Sequence, residues 1–91
     1  MKYLVLSMLR PGIRLTTSVK KAITAHYEHV KRLKETGKIE VHYPMLGRHG
    51  GASIYDVESH EELQTLLVQN PLFNFNRYKI YPLLEYESVK K

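Results

Sequence analysis

The sequence predicts an α+β fold in which two helices cover one face of a four-stranded antiparallel sheet. Three observations predict it. Apolar residues recur with period two and then with period 3.6, in the order strand, helix, strand, strand, helix, strand. Gly12, Gly37, the Gly47–Gly51 segment and Asn70-Pro71 punctuate those stretches. The 91 residues, 43% of them apolar, leave room for one hydrophobic core and hence one domain spanning 1–91.

Lys2 to Leu9 reads as the first strand. Leu4 and Leu6 alternate with Tyr3, Val5 and Ser7, and since both sets are largely apolar the strand should be central and covered on both faces. Arg10-Pro11-Gly12 ends it. Thr16, Thr17 and Ser18 are alternative N-caps for a helix of about five turns that Gly37 stops. At 100° per residue Val19, Ile23, His26, Val30 and Leu33 share a narrow sector, with His26 in mid-stripe and His29 at its margin. Lys38 to Leu46 is the second strand, with Ile39, Val41, Tyr43 and Met45 on one face and Glu40 and His42 on the other. A glycine-rich hairpin leads to a third strand over Ala52 to Val57. Ser59 and Glu62 form a capping box, placing a second helix near His60 with Leu63, Leu66 and Leu67 on its apolar face. Asn70-Pro71 stops that helix, because proline restricts the residue before it. Arg77 to Tyr86 resumes period two, and Pro82 assigns this strand to a sheet edge or a bulge. The order is ferredoxin-like.

Composition excludes several functions. No apolar run approaches the roughly 20 residues of a membrane helix, so no membrane partner is expected. YLVLSMLRPG is too short for a signal peptide and lacks its cleavage site, and there is no cysteine; both fit a cytoplasmic protein. The net charge of +5 comes largely from Lys20, Lys21, Lys31, Arg32 and Lys34 on a helix exterior and from Lys90 and Lys91 at the tail, which reads as a solvated face. RNA-binding domains of this strand order carry stacked aromatics and a basic-Gly-aromatic run; YLVLSML and GGASIYDV do not, so no nucleic-acid partner is expected. There is no nucleophile elbow, phosphate loop or dinucleotide fingerprint. His26 and His29 are three apart and His42 and His49 flank the hairpin, but no carboxylate-histidine motif fixes ligand geometry; no metal or other cofactor is expected.

The second half resembles the muconolactone delta-isomerases. The residues that carry the resemblance are Gly51, Tyr55, Asp56 and Val57 in a Gly-x-x-x-x-Tyr-Asp-Val pattern, then Ser59, Glu62, Leu63 and Pro71-Leu72-Phe73, with Arg32-Leu33 and Gly37 at compatible spacing in the first half. His26 to Gly37 is also similar to the His-centred helix of the YCII-related proteins, which often have Asp-Pro where this chain has Asn70-Pro71. In the isomerases the position of His26 tends to be acidic. Both resemblances imply a dimeric α/β barrel in which two sheets pack face to face, so the expected partner is a second copy. Burial of a sheet face without helices points to the same partner.

The resemblance implies a cofactor-independent proton transfer beside a carbonyl, on a small carboxylated or lactone-like molecule. His26 is the candidate base, since an imidazole titrates near pH 6.5 and apolar surroundings keep it neutral; its position equally suits a core histidine hydrogen-bonded to a carbonyl or tyrosine. Tyr55 is the candidate support for an enolate, with Tyr43, Tyr78 and Tyr81 as further hydroxyls that could orient a substrate. Arg48, His49 and Arg77 are candidates for a substrate carboxylate, although Arg48 and His49 at a loop tip also read as solvated. The alternative function is a non-catalytic, dimeric ligand-binding or interaction module. The position of His26, where the isomerases tend to be acidic, and Asn70 in place of Asp favour it.

Overall fold

The computed structural model describes residues 1–89; Lys90 and Lys91, counted above in the basic tail, lie outside them. Strand β1 (Lys2–Leu9) is followed by α1 (Thr17–Glu35), β2 (Ile39–Pro44), β3 (Gly50–Asp56), α2 (His60–Val68), β4 (Asn76–Leu83) and a short α3 (Tyr86–Val89). The four strands form one antiparallel sheet in the order β2-β3-β1-β4. The ferredoxin-like plan and the central place of β1 are therefore as the sequence predicts, and Pro82 sits on an edge strand where its missing N–H is harmless.

Thr16 is the cap of α1, its hydroxyl accepting from the Val19 N–H at 3.2 Å. At the other end Gly37 takes φ +79°, the left-handed conformation that terminates a helix without side-chain strain. Ser59 caps α2 by accepting from Glu62 N–H at 3.1 Å. The reciprocal bond differs from the expected box: Glu62 Oε1 reaches the Glu58 N–H at 2.9 Å, one residue before the cap. Strand β4 ends earlier than period two predicts, because its partner β1 begins at Lys2, opposite Leu83. With no ladder beyond Leu83, Tyr86 opens a helical turn instead.

The core lies between the sheet and the helices. Tyr3, Val5, Ile39, Tyr55 and Val57 meet Val30 and Leu33 of α1 and Leu63 and Leu67 of α2. Neither α1 nor α2 covers the opposite sheet face. Val41, Ile54, Leu4 and Tyr81 form one cross-strand row on it, and Tyr43, Ala52, Leu6 and Lys79 the next.

Two features of the helix-facing side depart from the sequence reading. The pairing of β2 with β3 shifts between Ile39 and Val41. This bulge puts one extra residue into β2, so Ile39 and His42 both face the helices while Val41 and Tyr43 turn to the open face. Strict alternation places His42 with Glu40 opposite Ile39, and the bulge reverses that. The second departure is His29, which lies in the helix-helix seam and not at the margin of the stripe. It is 6% exposed, and its Nε2–H donates to the Leu66 carbonyl at 3.2 Å.

Candidate functional site

His26 stands one turn before Val30 on α1, half-buried and within hydrogen-bond distance of Asn70, where the loop leading to β4 begins. That loop begins with Asn70, 5% exposed, whose side chain replaces the helical hydrogen bonds that Pro71 cannot continue. Asn70 Oδ1 accepts from the Leu72 N–H at 2.9 Å. The same carboxamide presents Oδ1 at 3.1 Å and Nδ2 at 2.8 Å to His26 Nδ1. Oδ1 can accept a hydrogen bond from Nδ1–H, or Nδ2–H can donate one to a bare Nδ1, so either tautomer of His26 is satisfied and Nε2 remains the nitrogen available to the cleft.

The cleft is about 80 Å³ and is lined by His26, Tyr27, His42, Arg48, His49 and Asn76 among polar residues, with Ile23, Leu9 and Leu72 as its apolar wall. The His26 and His42 rings meet edge to face with centroids 6.1 Å apart. His42 Nδ1 lies 2.6 Å from the buried Ser53 hydroxyl. A larger apolar groove of about 360 Å³ runs along α2, lined by Tyr3, Leu63, Leu67, Phe73, Tyr78 and Ile80. Its one titratable base, His60, is engaged by the Tyr3 hydroxyl, so the convergent proton-transfer groups belong to the smaller cleft.

Burial holds the His26 ring below the ordinary histidine pKa, against the opposing hydrogen bond from Asn70. His42 is lowered by burial and then by the neighbouring His26, and His29 by burial, with its carbonyl partner opposing. All three rings are neutral near pH 7. Arg48 stands at the mouth, its guanidinium 3.6 Å from Met8 Sδ, and no ion pair found among the described residues involves an arginine. Among the described residues no three His, Asp or Glu groups converge as a metal cage would require.

Of the candidates named from sequence, His26, Arg48 and His49 come together here. Arg77 is exposed on an adjoining groove that shares Arg48 and His49 with the cleft. Tyr55 is not in the cleft: it is 4% exposed in the core, and burial raises its phenol far above the ordinary value of 10. Tyr43 and Tyr81 are exposed on the helix-free sheet face, and Tyr78 stacks on Phe73 in the apolar groove. Two further residues belong to the site, His42 lining the cleft and Asn70 buried behind His26. His42 is hidden by the bulge, which no local pattern announces; Asn70 was visible as a helix stop, and the Asx-turn chemistry of an Asn-Pro pair is the signal that its side chain points inward.

The buried imidazoles make acid stability a test of this geometry. Above about pH 6.5 the rings are neutral both folded and unfolded, and their contribution is complete. Below it the unfolded chain binds protons that the folded state, with its lowered pKa values, resists, so stability falls as pH falls until the folded values are passed. We expect the denaturant midpoint to drop between pH 7 and pH 5, and His29→Gln to flatten that slope. A midpoint constant over this range would show the rings to be solvated.

Residues 1–89 match the family model of muconolactone delta-isomerase. Over 60 residues the chain is 37% identical to the muconolactone delta-isomerase of Cupriavidus pinatubonensis, covering 66% of this chain and 65% of that protein. It is 34% identical over 61 residues to that of Rhodococcus opacus, covering 67% and 66%. The matched stretch thus spans a little less than two thirds of either relative. A crystal structure of muconolactone isomerase superposes with a TM-score of 0.85 at 22% identity, over 97% of this chain and 93% of that one. The 5-chloro-2-hydroxyhydroquinone dehydrochlorinase of Burkholderia phenoliruptrix, in complex with 2,5-dihydroxybenzoquinone, superposes with a TM-score of 0.70 at 21% identity, over 97% and 98%. At these identities the structures speak for a shared fold, and no helix among the described residues is long and apolar enough to cross a membrane. The family match over nearly the whole chain decides the assignment: this chain belongs to the muconolactone delta-isomerase family.

Proposed function

We propose that the chain is a cofactor-independent proton-transfer enzyme of muconolactone-isomerase type, acting on a small carboxylated or lactone-like molecule in the His26 cleft. The observation that carries this reading is the His26 ring, held at Nδ1 by a buried carboxamide and lining the cleft. In the proposed step His26 Nε2 takes a proton from carbon beside a carbonyl and returns it to a second carbon, shifting a double bond. The Nδ1–H bond to Asn70 Oδ1 persists through the imidazolium stage, which limits reorganisation. Arg48 and His49 at the mouth hold a substrate carboxylate, with Arg77 beside them. The dehydrochlorinase with its bound quinone supports a small oxygenated ring as the kind of molecule this fold accepts. The test is exchange of carbon-bound hydrogen of muconolactone in D2O, followed by NMR: the reading requires exchange by the native chain, and an inert protein would favour a binding module.

The partner in this reading is a second copy. Val41, Tyr43, Tyr81 and Leu83 are 37–67% exposed on the helix-free sheet face. Covering them at roughly 25 cal/mol per Å² favours face-to-face association. Sedimentation at micromolar concentration is expected to find a dimer or larger species; a 10.7 kDa particle alone would overturn it.

A further inference from the structure

Tyr55 lies outside the cleft, so an enolate formed there needs another hydrogen-bond donor. We infer that His42 is that donor: its imidazole, fixed as the Nε2–H tautomer by Ser53, stabilises the developing oxyanion while His26 moves the proton. The inference rests on the proton-transfer reading above and adds to it the group that carries the negative charge.

Three observations place His42 in this role. The β2 bulge turns its side chain from the open sheet face into the cleft, opposite Ser53 on β3 and against the edge of the His26 ring. Ser53 is 6% exposed, and His42 Nδ1 at 2.6 Å is its one hydrogen-bond partner among the described side chains. A buried hydroxyl that accepted from Nδ1–H would strand its own proton, which costs more than an unused oxygen lone pair. Ser53 therefore donates, Nδ1 accepts, and the ring proton resides on Nε2. The third observation is Gly51. A Cβ built there would stand 2.7 Å from His42 Cε1 and 3.3 Å from Nε2, so glycine makes the space in which the ring lies. Burial and the nearby His26 both disfavour an imidazolium at position 42, as a neutral donor requires.

The step balances within the cleft. The substrate C–H bond breaks to give His26 Nε2–H; its electron pair becomes the carbon-carbon double bond of an enolate, whose oxygen accepts the His42 Nε2–H bond. The His26 proton then forms a new C–H bond at the second carbon and both rings return to neutral. His42 exchanges no proton with the substrate, and its contribution is a preorganised dipole of the oxyanion-hole kind.

Two asparagine-like and glutamine-like replacements separate this role from a structural one. His42→Asn keeps an amide near Nδ1 for Ser53 and loses the Nε2 donor; His42→Gln places an N–H near Nε2 and leaves Ser53 without its partner. With muconolactone as substrate, His42→Asn is expected to lower kcat by about 10²–10³-fold with KM moved much less, and His42→Gln to recover most of that loss. A structural role predicts the reverse order. Nitrogen-15 NMR of the native protein at pH 7.5 should show His42 Nε2 protonated and Nδ1 not, and Ser53→Ala should mix the tautomers even if the variants at position 42 fold poorly. An Nδ1–H tautomer in the native protein, or His42→Asn turning over like the native chain, would overturn the inference alone. A native chain inert toward muconolactone overturns the reaction and the inference with it.

Discussion

Replacing His26 with glutamine is expected to slow exchange and turnover of muconolactone by about 10²–10⁴-fold, the usual contribution of a positioned general base. Glutamine retains comparable bulk and can bond to the Asn70 carboxamide, so the contacts of α1 with the loop survive. What it cannot do is accept a proton from carbon at neutral pH. Since His26 is half-buried at the cleft and outside the core cluster, the denaturant midpoint should move little. Normal turnover by a destabilised variant would reassign His26 to structure. The pH dependence of the native rate gives a second check: with the ring held below the ordinary histidine value, activity should persist below pH 6.5 before protonation removes the base.

The His26 position was legible because it depends on one helix. A run from Val19 to Leu33 with caps at both ends fixes the direction of each side chain by the 100° rule. The same rule misjudged His29, because burial on α1 is set by two surfaces, the sheet and α2, and the sequence of α1 alone reports one apolar stripe. His42 was illegible for a different reason. Side-chain direction along a strand depends on an unbroken count of two, and the single extra residue between Ile39 and Val41 inverts everything after it. Nothing in IEVHYP marks the bulge; it is set by pairing with β3. Tyr55 illustrates the complementary failure: the Gly-x-x-x-x-Tyr-Asp-Val pattern makes it a candidate to support an enolate, but the ring lies in the core and not in the cleft.

Ile39→Ala is expected to destabilise the fold by about 2–5 kcal/mol, the range for truncating a fully buried isoleucine. Ile39 is 1% exposed, on edge strand β2 opposite Tyr55, and joins Val30 and Leu33 of α1 in the core. It is the one buried residue of β2. Its loss removes the apolar contact that holds the strand against the helix immediately before the bulge, and no other β2 side chain is placed to compensate. Since domains of this kind are stable by about 5–15 kcal/mol, a substantial part of the total is at stake at one position. Urea midpoints of the native chain and the variant measure it, with Leu46→Ala as the control, since Leu46 is fully exposed in the hairpin and should change stability by less than about 0.5 kcal/mol. His42 lies three residues beyond Ile39 on the same strand, so the loosened variant should also lose turnover beyond its loss of folded protein. Equal midpoints for Ile39→Ala and Leu46→Ala would show that β2 is held by its ladder to β3 alone.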